Sequence, residues 1–275
     1  CRSRREGRCE SIAPMELTRA TVTAHEAWLN GSRTGERLVV EGRRYVASSF
    51  QVWDLTRVHV RNTEFEECDL RHAILRGTEW SKSQLRRTML MSARCQSASF
   101  EEVLFDTCNL NLGRFNRAVL KNSKLVDTQA FRSQWGDATL AGIDFIRCEL
   151  WDTTWNGATV TGSDFRSCNL GATEDFGALA TTDGTRFVDC DFRGSDWRGR
   201  DLRGATFIRC RFAKTDDYPQ DATGAPRATE GLMLIDCDVT REELLGRLLV
   251  DESGEAGASR RVDESGEAGA SPLCR

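Results

Sequence analysis

A large apolar residue occupies nearly every fifth position of this sequence from Phe50 to Leu170. Small residues, mostly Ala, Cys, Ser or Thr, stand two positions before these centres, as at Cys68, Ala118 and Ser163. A helix repeats its apolar face about every 3.6 residues and a strand every second residue, so neither element explains a strict fivefold spacing. A fixed short period of this kind indicates a solenoid, in which successive turns of the chain stack on one another.

The simplest solenoid with this period turns a corner every five residues and directs one large and one small side chain inward on each side. Four sides close a square, so a full coil takes roughly twenty residues and the inward columns are read by stepping twenty. The predicted core ladder of one side is Phe65, Leu85, Phe105, Leu125, Phe145 and Phe165. A second inward column is Leu55, Leu75, Cys95, Phe115, Trp135 and Trp155. We expect a filled interior that leaves no room for a substrate, so recognition has to occur on the outside.

Individual five-residue units resemble a known repeat. Cys68–His72 (CDLRH) and Cys168–Ala172 (CNLGA) resemble the pentapeptide-repeat family, whose consensus is A-(D/N)-L-X-X. The resemblance covers roughly residues 45 to 240 and implies an all-β solenoid, a right-handed quadrilateral β-helix, here of about eight coils. It implies little about function, because one fold serves many roles.

The segments that flank the repeats divide the chain further. Residues 1–14 are Arg-rich and predicted to be a disordered leader or a cloning-derived segment, with Met15 a plausible natural start. Residues 15–45 are predicted to form an N-terminal helical cap over the open end of the first coil. The helix is expected from Glu16 to Asn30, with Thr23 and Glu26 as its capping box. His25 is better interpreted as part of this cap than as a catalytic residue, because no nucleophile motif accompanies it.

The repeat region, residues 46–240, is interrupted twice. The fivefold register fails after Leu170, and Pro- and Gly-containing stretches follow Phe212, so loops are predicted near 173–185 and 213–231. A capping box at Thr240–Glu243 predicts a C-terminal helix over 241–250. Its apolar face carries Leu244, Leu245, Leu248 and Leu249. This face either plugs the last coil or forms a homodimer, as in the related quinolone-resistance proteins, and four leucines favour the dimer. Residues 251–275 are rich in Gly, Ala, Glu and Ser and are predicted to be a disordered tail.

Composition limits the classes of function. The net charge is −4, which makes direct nucleic-acid binding unfavourable. The sequence contains neither an apolar run of membrane-spanning length nor an N-terminal apolar signal, so we expect no membrane contact and a cytoplasmic location.

Cysteines are numerous, but their positions argue against metal binding. Seven of the eleven stand in the small inward slot, where a thiol acts as a small apolar group. These seven are Cys68, Cys108, Cys148, Cys168, Cys190, Cys210 and Cys237. No Cys-x-x-Cys pair is present, so we expect reduced thiols, no metal, no cofactor and no catalytic residue.

The outer surface gives two competing hypotheses for a non-enzymatic, protein-binding role. The resemblance to the quinolone-resistance proteins implies DNA mimicry, in which a DNA-like rod binds DNA gyrase or a related topoisomerase and protects it from inhibitors. This chain departs from that pattern in its charge, because residues 47–212 carry 22 Lys and Arg against 22 Asp and Glu.

The alternative is a structural adaptor in a multiprotein assembly that docks through an apolar side of the solenoid. The position after each centre should face solvent, yet several such positions carry apolar residues. The predicted patch is Met91, Leu112, Val126, Phe131, Ile146 and Trp151. Aromatic residues and Met are enriched in interface cores. A second possibility for Phe131 is that it turns inward and replaces the small centre Ala130.

Overall fold

Four short sides make up a coil of the chain, and in the first seven coils two of them are three-residue β-strands. The computed structural model describes residues 15–171, 182–195, 202–212 and 230–240. Over these residues the chain is a parallel β-solenoid of about eight turns, preceded by helix α1 (Arg19–Leu29). The all-β solenoid prediction is confirmed.

The two stranded sides form parallel sheets, here called sides A and B in chain order. Side A is a seven-stranded sheet of β1 (Val39–Glu41), β3 (His59–Arg61), β5 (Glu79–Ser81), β7 (Ser99–Glu101), β9 (Val119–Lys121), β11 (Thr139–Ala141) and β13 (Thr159–Thr161). Side B is a ten-stranded sheet of β2 (Arg44–Val46), β4 (Glu64–Glu66), β6 (Gln84–Arg86), β8 (Leu104–Asp106), β10 (Lys124–Val126), β12 (Asp144–Ile146), β14 (Asp164–Arg166), β15 (Arg186–Val188), β16 (Thr206–Ile208) and β17 (Met233–Ile235).

The other two sides, C and D, are joined from coil to coil by single-residue parallel bridges. On side C the bridged column is Ser49, Asp69, Met89, Asn109, Gln129, Glu149, Asn169, Asp191 and Arg211. On side D it is Asp54, Ile74, Arg94, Arg114, Gln134 and Thr154. The chain therefore visits sides A, B, C and D in turn, and each coil lies directly above the previous one.

The strand register confirms the twenty-residue coil. Phe65 of β4 pairs with Leu85 of β6, and this offset persists up to the pairing of Phe145 with Phe165. The next strand pairs Phe165 with Phe187, an offset of twenty-two (187 minus 165). The last pairs Phe207 with Leu234, an offset of twenty-seven (234 minus 207). The two longer coils fall where the sequence predicts loops, and most of both loops lies outside the described residues. Thr182 and Thr185, within the first predicted loop, are buried.

The interior is filled by the two side-chain classes that the sequence defines. All six residues of the predicted core ladder are at most 1% exposed. Aromatic rings stack along the axis: the Phe145 and Phe165 centroids are 4.4 Å apart, and Phe115 lies 4.3 Å from Trp135. Burying such large side chains removes apolar surface from water, at about 1.5–3 kcal/mol each. The core is a continuous column that runs the length of the solenoid.

Buried tryptophans place their polar atom against the small slot of the same side. The indole N–H of Trp80 donates to the Thr78 hydroxyl, and that of Trp155 donates to the Thr153 hydroxyl. The Thr78 hydroxyl in turn donates to the Leu75 carbonyl. A buried N–H without a partner would be costly, so a hydroxyl two residues earlier makes an inward Trp acceptable.

The slot cysteines are free thiols, and all except the partly exposed Cys237 are buried. Each thiol donates to backbone carbonyls, as Cys108 does to the carbonyl of Leu85. Burial raises the pKa of the Cys108 thiol to about 12, so it stays protonated at neutral pH. These cysteines act as small core residues.

Each corner places one residue in the left-handed region of backbone conformation. This is the second residue after each centre, with φ near +50° to +60° at positions such as Val52, Lys82 and Asp127. Some corners use glycine, for example Gly142 with φ of +65°. This conformation is sterically unfavourable for non-glycine residues. They adopt it because the chain has to turn from one side of the coil to the next at this position.

The N-terminal helix covers the first coil, but its start differs from the prediction. Helix α1 begins at Arg19, and its capping box is formed by Thr18 and Thr21. The predicted pair Thr23 and Glu26 lies inside the helix. A Thr at the third helical position can replace Glu, because its hydroxyl accepts the Thr18 N–H. The predicted end at Asn30 agrees with the structure.

Polar contacts fix the cap to the coils. The Leu17 N–H donates to the Tyr45 hydroxyl at 2.7 Å. His25 is fully buried, and its Nδ1 accepts the N–H of Leu38 while Nε2 lies 2.7 Å from the carbonyl oxygen of Thr56. Both ring nitrogens are therefore used, and His25 has a structural role. The first strand lies at Val39–Glu41, before the predicted domain boundary at residue 46.

Candidate functional site

An apolar ridge stands on the corner between sides C and D; we define it by Leu112, Phe131 and Trp151. The Phe131 and Trp151 rings lie one coil apart, with centroids separated by 3.9 Å. The Leu112 N–H donates to the Phe131 carbonyl, which places Leu112 beside the two rings. Trp151 is 39% exposed and Leu112 47%, whereas Phe131 is half-buried between coils.

The register explains why Phe131 points outward. Ala130 is completely buried and keeps the centre position, so the following residue belongs to the corner. The Asn111 side-chain oxygen accepts the Phe131 N–H at 2.8 Å. The inward alternative for Phe131 is therefore wrong, because the corner backbone is held in register by its neighbours.

A charged pair supports the ridge from the side. The Arg132 guanidinium carbon lies 4.8 Å from the centre of the Phe131 ring, and its Nε donates to the Asp152 carboxylate at 2.6 Å. A cation over an aromatic face is attracted by the ring quadrupole. The two tilted rings are thus oriented before any partner binds.

The other residues of the predicted patch are not all beside the ridge. Met91 occupies the same corner two coils before Phe131, with Asn111 in the coil between them. Val126 and Ile146 pair with each other in strands β10 and β12 on side B. The polar side C residues Gln129 and Glu149 separate that pair from the ridge. The six residues thus form a ridge, a satellite methionine and a separate aliphatic pair.

Ion pairs cover side B and its corner. Neighbouring coils bring opposite charges together, as in Arg86–Asp106, Lys124–Asp144 and Arg209–Asp189. Arg147 donates two hydrogen bonds to Asp127 and holds the pKa of that carboxyl below its usual value. Since most of these charges are matched within one coil, the described part of side B has no continuous acidic stripe.

Side D has a different charge pattern, which was not identified from the sequence. Arg57, Arg76, Arg94 and Arg114 are exposed there, and none of the four has an ion-pair partner within the described part of the chain. The acidic residues of side D and its two corners in the described coils are Asp54, Asp137 and Asp152. Asp137 pairs with Arg117, and Asp152 pairs with Arg132. The sequence does contain this pattern, because Arg94 and Arg114 are twenty residues apart. The total charge of residues 47–212 does not show it.

The remaining predictions concern metal ions, membrane spans and a dimer helix. In the described ranges, no group of three or more His, Cys, Asp or Glu side chains is arranged to hold a metal ion. No helix among those same residues is long and apolar enough to cross a bilayer. The predicted dimer helix, with Leu244, Leu245, Leu248 and Leu249, lies outside the described residues, as do residues 1–14 and the predicted tail, 251–275.

The sequence signature of the family "Pentapeptide repeats" matches the chain in eight copies, over residues 54–90 and 185–216. The described residues within these ranges lie in stacked coils that have the five-residue period described above. These two segments of the chain are pentapeptide repeats. Proteins of this family are generally structural or binding proteins. No curated protein matches its sequence.

Two solved structures match this chain. HetL, a protein involved in heterocyst differentiation regulation from Nostoc sp. strain PCC 7120, is 19% identical, with a TM-score of 0.63. The match covers 77% of this chain and 91% of HetL. QnrB1, a plasmid-mediated fluoroquinolone resistance protein, is 18% identical, with a TM-score of 0.37 and coverage of 75% and 95%. At these identities the HetL comparison establishes the fold alone.

Proposed function

We propose that this protein is a non-enzymatic adaptor that binds a partner protein through the ridge of Leu112, Phe131 and Trp151. The partly exposed pair of aromatic rings, tilted by 31° and 3.9 Å apart, carries this proposal. In the described coils the other large aromatic side chains are buried, and the ten largest fully buried residues are all Trp or Phe. An aromatic pair on the outside exposes apolar surface to water, which is unfavourable. A bound partner would remove this surface from water.

Rigidity strengthens the argument for docking. The ridge lies on coils whose backbone hydrogen bonds and filled core allow little movement. The contact between the Phe131 and Trp151 rings fixes the orientation of these side chains. Binding therefore costs little conformational entropy at the ridge. Trp and Tyr dominate the energy of many interfaces, especially when they lie at the centre of the contact. Trp151 is the expected central residue of this contact.

DNA mimicry of the kind that binds DNA gyrase is the second candidate. Its support is the solenoid fold and the dimer expected from residues 241–250. The observed charges favour it less, since side B carboxylates are paired with arginines and side D is cationic. A DNA-like ligand needs a continuous negative surface to attract a DNA-binding enzyme.

A charge substitution at the ridge tests the adaptor proposal. Trp151→Glu should lower recovery of a specific host partner by at least about tenfold in quantitative pull-downs, because a carboxylate would be buried in an apolar contact. Val46→Glu is the matched control, since Val46 is also exposed but lies on side B, in strand β2. An unchanged set of partners for Trp151→Glu, or equal losses for both variants, would refute docking at the ridge.

A gyrase supercoiling assay with and without a poison separates the two candidates. The adaptor proposal expects no protection of the enzyme even at a large excess of this protein. Protection at an equimolar amount would establish the DNA-mimic function instead. If Trp151→Glu protected as well as the unaltered protein, the ridge would have no part in that function.

A further inference from the structure

An arginine-lined groove runs beside the ridge on side D. Its walls include Arg94, Arg114, Arg132, His72, Ser92 and Leu112. Leu112 belongs to both the groove and the ridge, so the two surfaces are continuous. None of the residues lining the groove is acidic, and the Asp152 carboxylate that pairs with Arg132 belongs to the adjoining coil.

The two central arginines lack the opposite-charge partner that many side B residues have. Arg94 and Arg114 are direct partners in a parallel bridge, so their side chains leave neighbouring coils about 4.8 Å apart in the same direction. Like charges directly opposite each other destabilise a sheet. At the corner that follows side B, by contrast, residues twenty apart carry opposite charges: Arg147 pairs with Asp127, and Arg209 pairs with Asp189.

Neither arginine is neutralised from another direction. Both are exposed, and neither has a hydrogen-bonded or ion-paired side-chain partner among the described residues. A guanidinium presents a planar set of donors that matches a carboxylate in a two-point contact. Two guanidinium groups on neighbouring coils, both lining the groove, can therefore receive successive carboxylates of an extended chain.

We propose that this groove binds an acidic segment of the partner protein, with Asp or Glu side chains paired to Arg94 and Arg114 and an adjacent apolar side chain on the ridge. The inference rests on the adaptor function proposed above and names the chemistry of its partner. A protein segment fits better than a nucleic acid, because the groove ends in the apolar ridge and the side B charges are balanced. A phosphate backbone would gain nothing from Trp151 or Leu112 as exposed corner groups.

Fluorescence polarisation with two labelled peptides tests the proposal. The first probe is the octapeptide Glu-Glu-Asp-Trp-Leu-Asp-Glu-Glu, and the second replaces its Trp-Leu by Ser-Ser. The full-length protein should bind the first probe more tightly than the second, and added salt should weaken both by screening. The double variant R94E/R114E should weaken binding of the first probe by about tenfold or more.

The control keeps the charge change and moves it elsewhere. Arg61 and Lys121 are exposed on side A and have no ion-pair partner within the described ranges, so R61E/K121E alters net charge by the same amount. This control should bind the first probe within about twofold of the unaltered protein. Circular dichroism spectra of both double variants should match, since all four residues are exposed.

Each other outcome has a defined meaning. Full binding by R94E/R114E, an equal loss in R61E/K121E, or no binding of either peptide by the unaltered protein overturns the acidic-segment inference. Tighter binding of a single-stranded octadeoxynucleotide than of the first probe overturns it as well. If R94E/R114E retains binding while Trp151→Glu loses it, the ridge proposal survives alone. If Trp151→Glu has no effect while R94E/R114E does, the groove binds acidic chains without the ridge.

Discussion

Replacing Phe145 by Ala and Phe131 by Ala tests the inside–outside assignment with one chemical change at two positions. Phe145 is completely buried in side B, and its ring stacks on Phe165 at 4.4 Å and meets Trp155 edge-on at 6.4 Å. Phe131 is half-buried on the corner and contacts Trp151 at 3.9 Å. The two positions differ by fourteen residues, which is not a multiple of the repeat.

The expected costs follow from these surroundings. Removing a buried Phe ring loses its transfer free energy and leaves a cavity, which together cost about 3–5 kcal/mol. Part of that loss comes from the ring contacts with Phe165 and Trp155, at about 0.5–1.5 kcal/mol per aromatic pair. Phe131→Ala loses partial burial and one ring contact, and water can fill the space, so about 1 kcal/mol is expected.

Thermal and urea denaturation followed by circular dichroism measure the difference. For a folded region of this size, each kcal/mol lowers the midpoint temperature by roughly 2–4 °C. Phe145→Ala should therefore lower it by about 6–20 °C, and Phe131→Ala by about 2–4 °C. Equal shifts, or a larger shift for Phe131→Ala, would refute the assignment of these two residues to the core and the corner.

Two further predictions concern charge and backbone conformation. Hydrogen bonds from arginines lower the pKa values of Glu66, Asp127 and Asp189 in the folded protein. The stabilisation by these carboxylates is fully present above their unfolded pKa of about 4 and is lost as pH falls through the folded pKa values. The free energy of unfolding should therefore decrease once the pH is lowered past about 5. A flat pH profile in urea titrations would contradict this. Val52 is β-branched at φ +58°, so Val52→Gly should raise the free energy of unfolding by about 0.5–1 kcal/mol, whereas Gly142→Val at an equivalent corner should lower it; the reverse order would contradict the corner strain.

The sequence was sufficient to predict the core because burial acts on each position separately. A side chain that points inward every fifth residue must be apolar and of the right size. The residue types of Phe105 and Cys108 are therefore enough to predict that both are buried. The same reasoning predicted that the coil lengthens after Leu170. It located the start of the helix less well, because a hydroxyl at Thr21 serves the cap as well as the expected Glu would.

The outer surface depended on which coils become neighbours. Residues twenty apart in sequence are adjacent in space, so the contact of Phe131 with Trp151 and the repulsion between Arg94 and Arg114 exist only in the stacked molecule. Summed charge could not distinguish a paired side B from a cationic side D. The periodic pattern of side-chain size therefore determined the coil and its core. Only the tertiary structure decided which exposed groups meet, because solvent tolerates most residue types at these positions and leaves no pattern for a single sequence to display.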